Sequence, residues 1–133
     1  MKDSAPLDWR KFPERYNLRG NYCEECGTAF FPARAICPKC RRKGKLVKKD
    51  MPRTGKIYSF TKLHVAPTGF RHETPYYLAI IELENKARVL AQLVDTEGEK
   101  VKIGAKVKKM FRKMGQADKY GTITYAYKFR IVK

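Results

Sequence analysis

Four cysteines carry the clearest chemistry in this 133-residue chain. Cys23, Cys26, Cys37 and Cys40 are spaced C-x2-C, ten residues, C-x2-C, and no other cysteine is present. Two residues between thiolates let both sulfurs of a knuckle face one point. Two such knuckles opposite each other make a closed tetrahedral cage of four sulfurs, which suits Zn2+. Gly27 follows the first pair and can supply the positive φ that a knuckle turn requires. Iron in the same cage and disulfides are the alternatives. Disulfides are disfavoured because no basic-then-apolar leader opens the chain. Four protein ligands leave the metal no open position for water or substrate, so the cage points to a folding role. A segment of about 25 residues buries too little surface to fold alone.

No other constellation reads as catalytic. With the cysteines committed to metal, none remains as a nucleophile. His64, His72 and Glu73 lie near one another in sequence, but their spacing matches no metal or proton-transfer motif. There is no G-x-S-x-G, Walker loop or dinucleotide fingerprint. The expectation is a protein that is not an enzyme.

The charge points instead to binding. Thirty basic residues against 13 acidic ones give +17, and four thiolates with Zn2+ would leave about +15. Such a chain repels its own copies and attracts polyanions. The excess runs through both halves rather than sitting in a tail. Two stretches concentrate it, Arg41 to Lys49 and Lys100 to Lys113. In the second, Lys106, Lys108 and Arg112 fall in one phase of a strand, opposite Val107 and Phe111. Tyr58, Phe60, Tyr76, Tyr77, Tyr125 and Tyr127 could stack bases. On physical grounds alone, single-stranded nucleic-acid binding leads, with barrel core as the plain alternative for most of those rings.

The elements that would position these groups divide the chain into three. Residues 1–20 form an N-terminal helical segment, with Asp8 as a cap and Pro13 as an interruption. Its Trp9, Phe12 and Tyr16 have no core of their own, so they pack on later parts or meet a partner. Residues 21–46 form the metal ribbon, with a short strand at Thr28–Phe31. Residues 47–133 form a barrel of five strands: Gly55–Val65, Tyr76–Glu84, Lys86–Val94, Lys106–Met114 and Thr122–Val132. These are read from alternating apolar residues bounded by turn chemistry. A short helix is possible between residues 95 and 104. Five strands with a longer link between the third and fourth follow the order of an OB-fold, with an SH3-like barrel as alternative. The longest apolar run, Tyr76 to Ile81, falls well short of the about 20 residues a membrane span needs. The fold expected is mainly β, in a cytoplasmic protein with no membrane partner.

A more specific pattern lies in Trp9-Arg-Lys-Phe-Pro-Glu-Arg-Tyr-Asn-Leu-Arg-Gly20, Cys23-Glu-Glu-Cys-Gly27, Phe30-Phe-Pro-Ala-Arg34 and Cys37-Pro-Lys-Cys40. Gly55-Lys-Ile-Tyr-Ser-Phe-Thr61, Ile103-Gly-Ala-Lys-Val107 and Tyr127-Lys-Phe-Arg130 continue it. Nearly the whole chain resembles a zinc-ribbon/OB-fold family, long catalogued as a domain of unknown function, that associates with acyl-CoA enzymes. It is similar in particular to archaeal members encoded with acetoacetyl-CoA thiolase and 3-hydroxy-3-methylglutaryl-CoA synthase. The resemblance implies a rubredoxin-like ribbon with structural zinc on Cys23, Cys26, Cys37 and Cys40. It implies a non-catalytic scaffold of the mevalonate pathway that bridges those two enzymes, with CoA as a shared ligand rather than a cofactor. Under that reading Lys106, Lys108 and Arg112 would meet CoA phosphates or an acidic partner surface, and Trp9, Phe12 and Tyr16 an enzyme. A nucleic-acid-binding module is the alternative.

Overall fold

The computed structural model describes residues 4–116 and 120–132. The chain opens with one helix, α1 (Ala5–Asn17). Pro6 lies in its first turn, where a missing N–H costs nothing, and Ser4 occupies the N-cap position. Asp8 is therefore inside the first turn and not the cap. It is buried and paired with Arg15 two turns on, Oδ1 to Nη1 at 3.1 Å. Pro13 does not break the helix, which runs through it to Asn17. The helix stops because Leu18 takes a left-handed conformation (φ 53°), its N–H still bonded to Glu14 O. That reversal drives Leu18 wholly into the core, and its carbonyl accepts from Met51 N–H at 3.0 Å.

Three short strands follow, β1 (Arg19–Cys23), β2 (Ala29–Phe30) and β3 (Leu46–Asp50), in an antiparallel sheet ordered β2-β1-β3. The sheet extends beyond residues 21–46 at both ends, since β1 begins at Arg19 and β3 runs to Asp50. Neither β1 nor β3 shows the apolar alternation of a half-buried strand, and β3 ends in three exposed residues.

The remainder is a five-stranded barrel of β4 (Thr54–Leu63), β5 (Tyr76–Leu83), β6 (Arg88–Val94), β7 (Lys106–Gln116) and β8 (Ile123–Ile131). Its order β4-β5-β6-β8-β7 closes back on β4, with only β6 and β8 parallel. This is the OB-fold connection, and all five expected strands are present within two residues at most ends. Strand β4 stops at Leu63, so Val65 lies outside it. A bulge between Ile57 and Ser59 shifts the phase of β4, so Phe60, not Ser59 or Thr61, falls opposite buried Ala79. The turn after β5 uses three residues: Lys86 N–H reaches Leu83 O, and Lys86 takes φ 69°. Between β6 and β7 the chain makes turns rather than the short helix.

The core gathers Ile57, Ile81, Leu83, Val89, Leu93, Val107 and Phe129 inside the barrel. Leu18 and Met51 join the same cluster, so helix, ribbon and barrel share one hydrophobic interior. No helix is long and apolar enough to cross a membrane among the described residues.

Candidate functional site

The two knuckles are built alike. In the first, Cys23 N–H reaches Thr28 O at 2.9 Å and Gly27 N–H reaches Cys23 O at 2.8 Å. In the second, Arg41 N–H reaches Cys37 O at the same 2.8 Å. The residue after each second cysteine is left-handed: Gly27 at φ 71°, Arg41 at φ 54°. The glycine was legible in sequence; its counterpart was hidden because arginine carries no such signal. Gly44 closes the second knuckle, its N–H on Arg41 O at 3.2 Å. A Cβ there would sit 2.8 Å from Cys37 Cβ and 3.1 Å from Cys40 Cβ, so only glycine lets the chain pass behind those ligands.

These turns bring all four sulfurs within 4.8 Å of one another. Zn–S bonds of about 2.3 Å in a tetrahedron place sulfurs about 3.8 Å apart. Cys23 and Cys40 lie 3.9 Å apart, and Cys26 and Cys37 lie 3.6 Å apart. Those distances fit a tetrahedral thiolate site and exclude a disulfide, which needs sulfurs about 2.05 Å apart. Cys23 and Cys37 are buried, Cys40 half-buried and Cys26 exposed. The Thr28 hydroxyl, 3.4 Å from Cys26 Sγ, draws that thiol down to about 6. Burial and the neighbouring sulfurs push Cys40 up to about 12. Thiolates this close repel one another, and a dication among them relieves that repulsion.

The aromatic residues of α1 face the barrel in graded fashion. Phe12 stacks on Tyr16 (centroids 4.7 Å), Tyr16 meets Phe111 edge-on (4.9 Å), and Phe111 stacks on Tyr125 (5.3 Å). The Lys109 ammonium donates to Tyr16 O and ties the helix to β7. Trp9 ends this chain of rings, 5.7 Å from Phe12 and 72% exposed. Of the three expected contact residues, two are therefore held against their own molecule and Trp9 is presented outward.

The expected cationic group separates. Lys106 and Lys108 are exposed and line a groove of about 500 Å3 with Lys56, Lys86, Glu82 and Glu84, floored by Gly55, Leu83 and Val107. Lys56 lies directly opposite Lys106 in the β4–β7 ladder, a pairing of like charges. Sequence reasoning missed Lys56 because it belongs to a distant strand. Arg112 lies elsewhere, with Nη2 2.7 Å from Asp95 Oδ2. The rings considered for base stacking are mostly engaged. Tyr58 lies under the Arg88 guanidinium at 4.0 Å, and Tyr127 is half-buried between Phe31 and Phe129. Burial pushes the Tyr127 phenol up to about 12. His64 and His72 do not converge on a metal site, since Cys23, Cys26, Cys37 and Cys40 form the one such cluster among the described residues.

A four-cysteine ribbon fused through a shared core to an OB barrel defines a class of two-part, zinc-ribbon proteins. Comparison places this chain within it more narrowly. Residues 10–46 match the ChsH2 rubredoxin-like zinc ribbon domain, and residues 48–112 match the ChsH2 C-terminal OB-fold domain. The chain is 46% identical over 125 residues to a DUF35 domain-containing scaffold protein of Methanocaldococcus jannaschii, covering 94% of this chain and 89% of that one. A protein of the same description from Methanothermobacter thermautotrophicus is 43% identical, over 98% of both chains. The chain belongs to the DUF35 family of zinc-ribbon/OB-fold proteins. More distantly, the benzoylsuccinyl-CoA thiolase subunit BbsA of Thauera aromatica is 35% identical over 81 residues, 61% of this chain and 54% of that one. Among solved structures, an Ltp2-ChsH2(DUF35) aldolase chain superposes with a TM-score of 0.70 at 23% identity, covering 98% and 96%. That last likeness concerns the fold.

Proposed function

We propose that this chain is a non-catalytic scaffold for acyl-CoA condensing enzymes, with a structural zinc in its ribbon. In this reading it links acetoacetyl-CoA thiolase to 3-hydroxy-3-methylglutaryl-CoA synthase. The observation that carries the reading is end-to-end similarity to proteins described as scaffolds, alongside similarity to a thiolase subunit. The site geometry is compatible. A metal with four sulfur ligands has no open position for a reactant. Acetoacetyl-CoA formation by thiolase is uphill, so coupling it closely to the next condensation pulls it forward.

Within this reading the groove cations Lys106 and Lys108 meet CoA phosphates, joined by Lys56, while Arg112 serves chiefly to hold Asp95. Trp9 is the helix residue placed to enter an enzyme pocket, supported from behind by Phe12 and Tyr16.

The test is reconstitution. The purified chain should co-elute with thiolase and synthase of the same organism and raise the coupled condensation rate. Charge reversal of Lys106 and Lys108 together should lower that rate without releasing zinc. A chain that runs alone and leaves both enzymes unaffected would end this reading. Submicromolar, salt-steep binding to single strands would favour the nucleic-acid alternative.

A further inference from the structure

Apolar side chains stand outside the barrel on the face of β4, β5 and β6. Ile80 on β5 lies directly opposite Leu90 on β6 and beside Ser59 on β4. Leu90 is 60% exposed, Tyr58 48% and Ile80 37%. Tyr58 is the residue that the β4 bulge leaves unpaired, turned so that its ring lies beneath Arg88. Leu90 also forms the lip of a pocket of about 320 Å3 whose walls include Leu78, Phe70, Tyr76 and Met114. A flat aliphatic patch thus runs into a socket large enough for one bulky side chain.

Ion pairs flank this face, and Glu14 stands on the socket wall. Glu82 lies 3.7 Å from Arg88 and 3.6 Å from Lys86. At the socket, Lys128 lies 3.1 Å from Glu73, and Arg15 is paired with Asp8. Lys56, Lys106 and Lys108 lie in the adjoining groove, where Lys56 stands directly opposite Glu82 and Glu84 is on the wall. In OB-folds that bind single strands, the face of the second and third strands stacks bases and pairs phosphates with free cations. Here the centre of that face offers apolar side chains, with charged groups only at its edge, which is the anatomy of a protein interface: an apolar centre depleted of charge within a polar rim. A second copy is a poor occupant, because the whole chain carries +17 and copies repel. The same surplus selects an acidic partner.

We infer that the Tyr58–Ile80–Leu90 face and its socket are a docking surface for a different protein, one that presents a bulky apolar side chain ringed by acidic residues. This deepens the scaffold reading and rests on it: the partner is one of the two condensing enzymes.

The experiment measures binding of the full zinc-loaded chain to purified thiolase and, separately, to synthase. Leu90→Asp places a charge on an exposed position, so folding and zinc content should persist; Leu90→Met keeps the apolar contact. Loss of a central anchor costs an interface about 30-fold or more. Leu90→Asp should weaken one enzyme by that factor and spare the other, while Leu90→Met stays within about threefold. Ile103→Asp, at an exposed apolar residue outside this face, should change neither. Wild-type association should also slow as salt rises. Unchanged binding by Leu90→Asp, with wild type binding normally, overturns the inference and leaves the scaffold reading standing. Wild-type dimers that Leu90→Asp dissolves, or oligonucleotide binding that it abolishes, assign the face to another occupant and also overturn it. If wild type binds neither enzyme, the scaffold reading itself falls and takes this inference with it.

Discussion

Gly44 is the most informative position at which to test the metal cage without touching a ligand. Replacing it by alanine adds one methyl group that would lie 2.8 Å from Cys37 Cβ, 3.1 Å from Cys40 Cβ and 3.4 Å from Arg41 O. Non-bonded carbons are comfortable at about 3.5–4.0 Å, so relief demands shifts on the order of 0.5–1 Å. The atoms that must give way carry two of the four sulfurs. Metal sites tolerate ligand displacements of about 0.2 Å, so most of this shift cannot be absorbed at the metal. Overpacking of this kind costs about 1–3 kcal/mol, which is roughly 5- to 150-fold in affinity at 1.4 kcal/mol per decade. Gly44→Ala should therefore still bind one zinc per chain but weaken it by about one to two decades. Competition against a chromophoric chelator reads this directly, with far-UV circular dichroism to confirm that the barrel persists. Gly115→Ala is the matched control, because its added methyl would meet no atom within 4 Å. An unchanged zinc affinity in Gly44→Ala would refute the argument that the chain's passage behind Cys37 and Cys40 holds the sulfurs in register.

Other outcomes follow from the same geometry. Cys37→Ser removes a buried ligand, about a quarter of a structural-zinc free energy of roughly 10–16 kcal/mol, so affinity should fall by about two to three decades. The ribbon should then open to thiol reagents while barrel strand signal remains; full metal content with protected thiols would contradict this. Glu73 is a pH-dependent tie between the β4–β5 connection and β8. Burial pushes its carboxyl up, but hydrogen bonds from Gln92 and Lys128 and the Lys128 charge outweigh that, and the net shift is downward. A folded pKa below the unfolded value stabilises above the unfolded pKa and is lost as pH falls through the folded one. Glu73→Gln, which leaves buried Lys128 without its counter-charge, should cost about 1–3 kcal/mol at pH 7 by urea titration, with a gap that closes as pH falls below the ordinary carboxylate range. A gap that persists in acid would assign the loss to packing instead.

How much of this was legible in sequence depended on how local its cause was. The cage was, because C-x2-C spacing is a property of four consecutive residues, and so were the five barrel strands, whose alternation is set by burial on one side. The strands β1 and β3 were not. They pair Arg19 with Asp50 and Cys23 with Leu46 across a whole ribbon, and what holds them is the knuckle turns at one end and Leu18 at the other. Asp8 read as a cap because Asp before an apolar run usually is one, but its partner Arg15 lies two turns away. Pro13 read as a break because propensity is local. The Phe12–Tyr16–Phe111–Tyr125 stack holds the helix against β7 and β8 from a distance no local rule can see.

The site followed the same rule. Lys106 and Lys108 lie two residues apart on β7 and stayed together; Arg112, four residues further along the same strand, pairs instead with Asp95, just past the end of β6. Lys56 joined them through the β4–β7 ladder, which exists only because the barrel closes. The outer face of β4–β6 was hidden for a related reason. A continuous apolar run such as Tyr76–Ile81 reads as a strand buried on both sides, yet its Ile80 is exposed, with none of the described residues covering it. An apolar strand that the fold leaves half uncovered, on a molecule too positively charged to cover it with a copy of itself, calls for a second kind of protein.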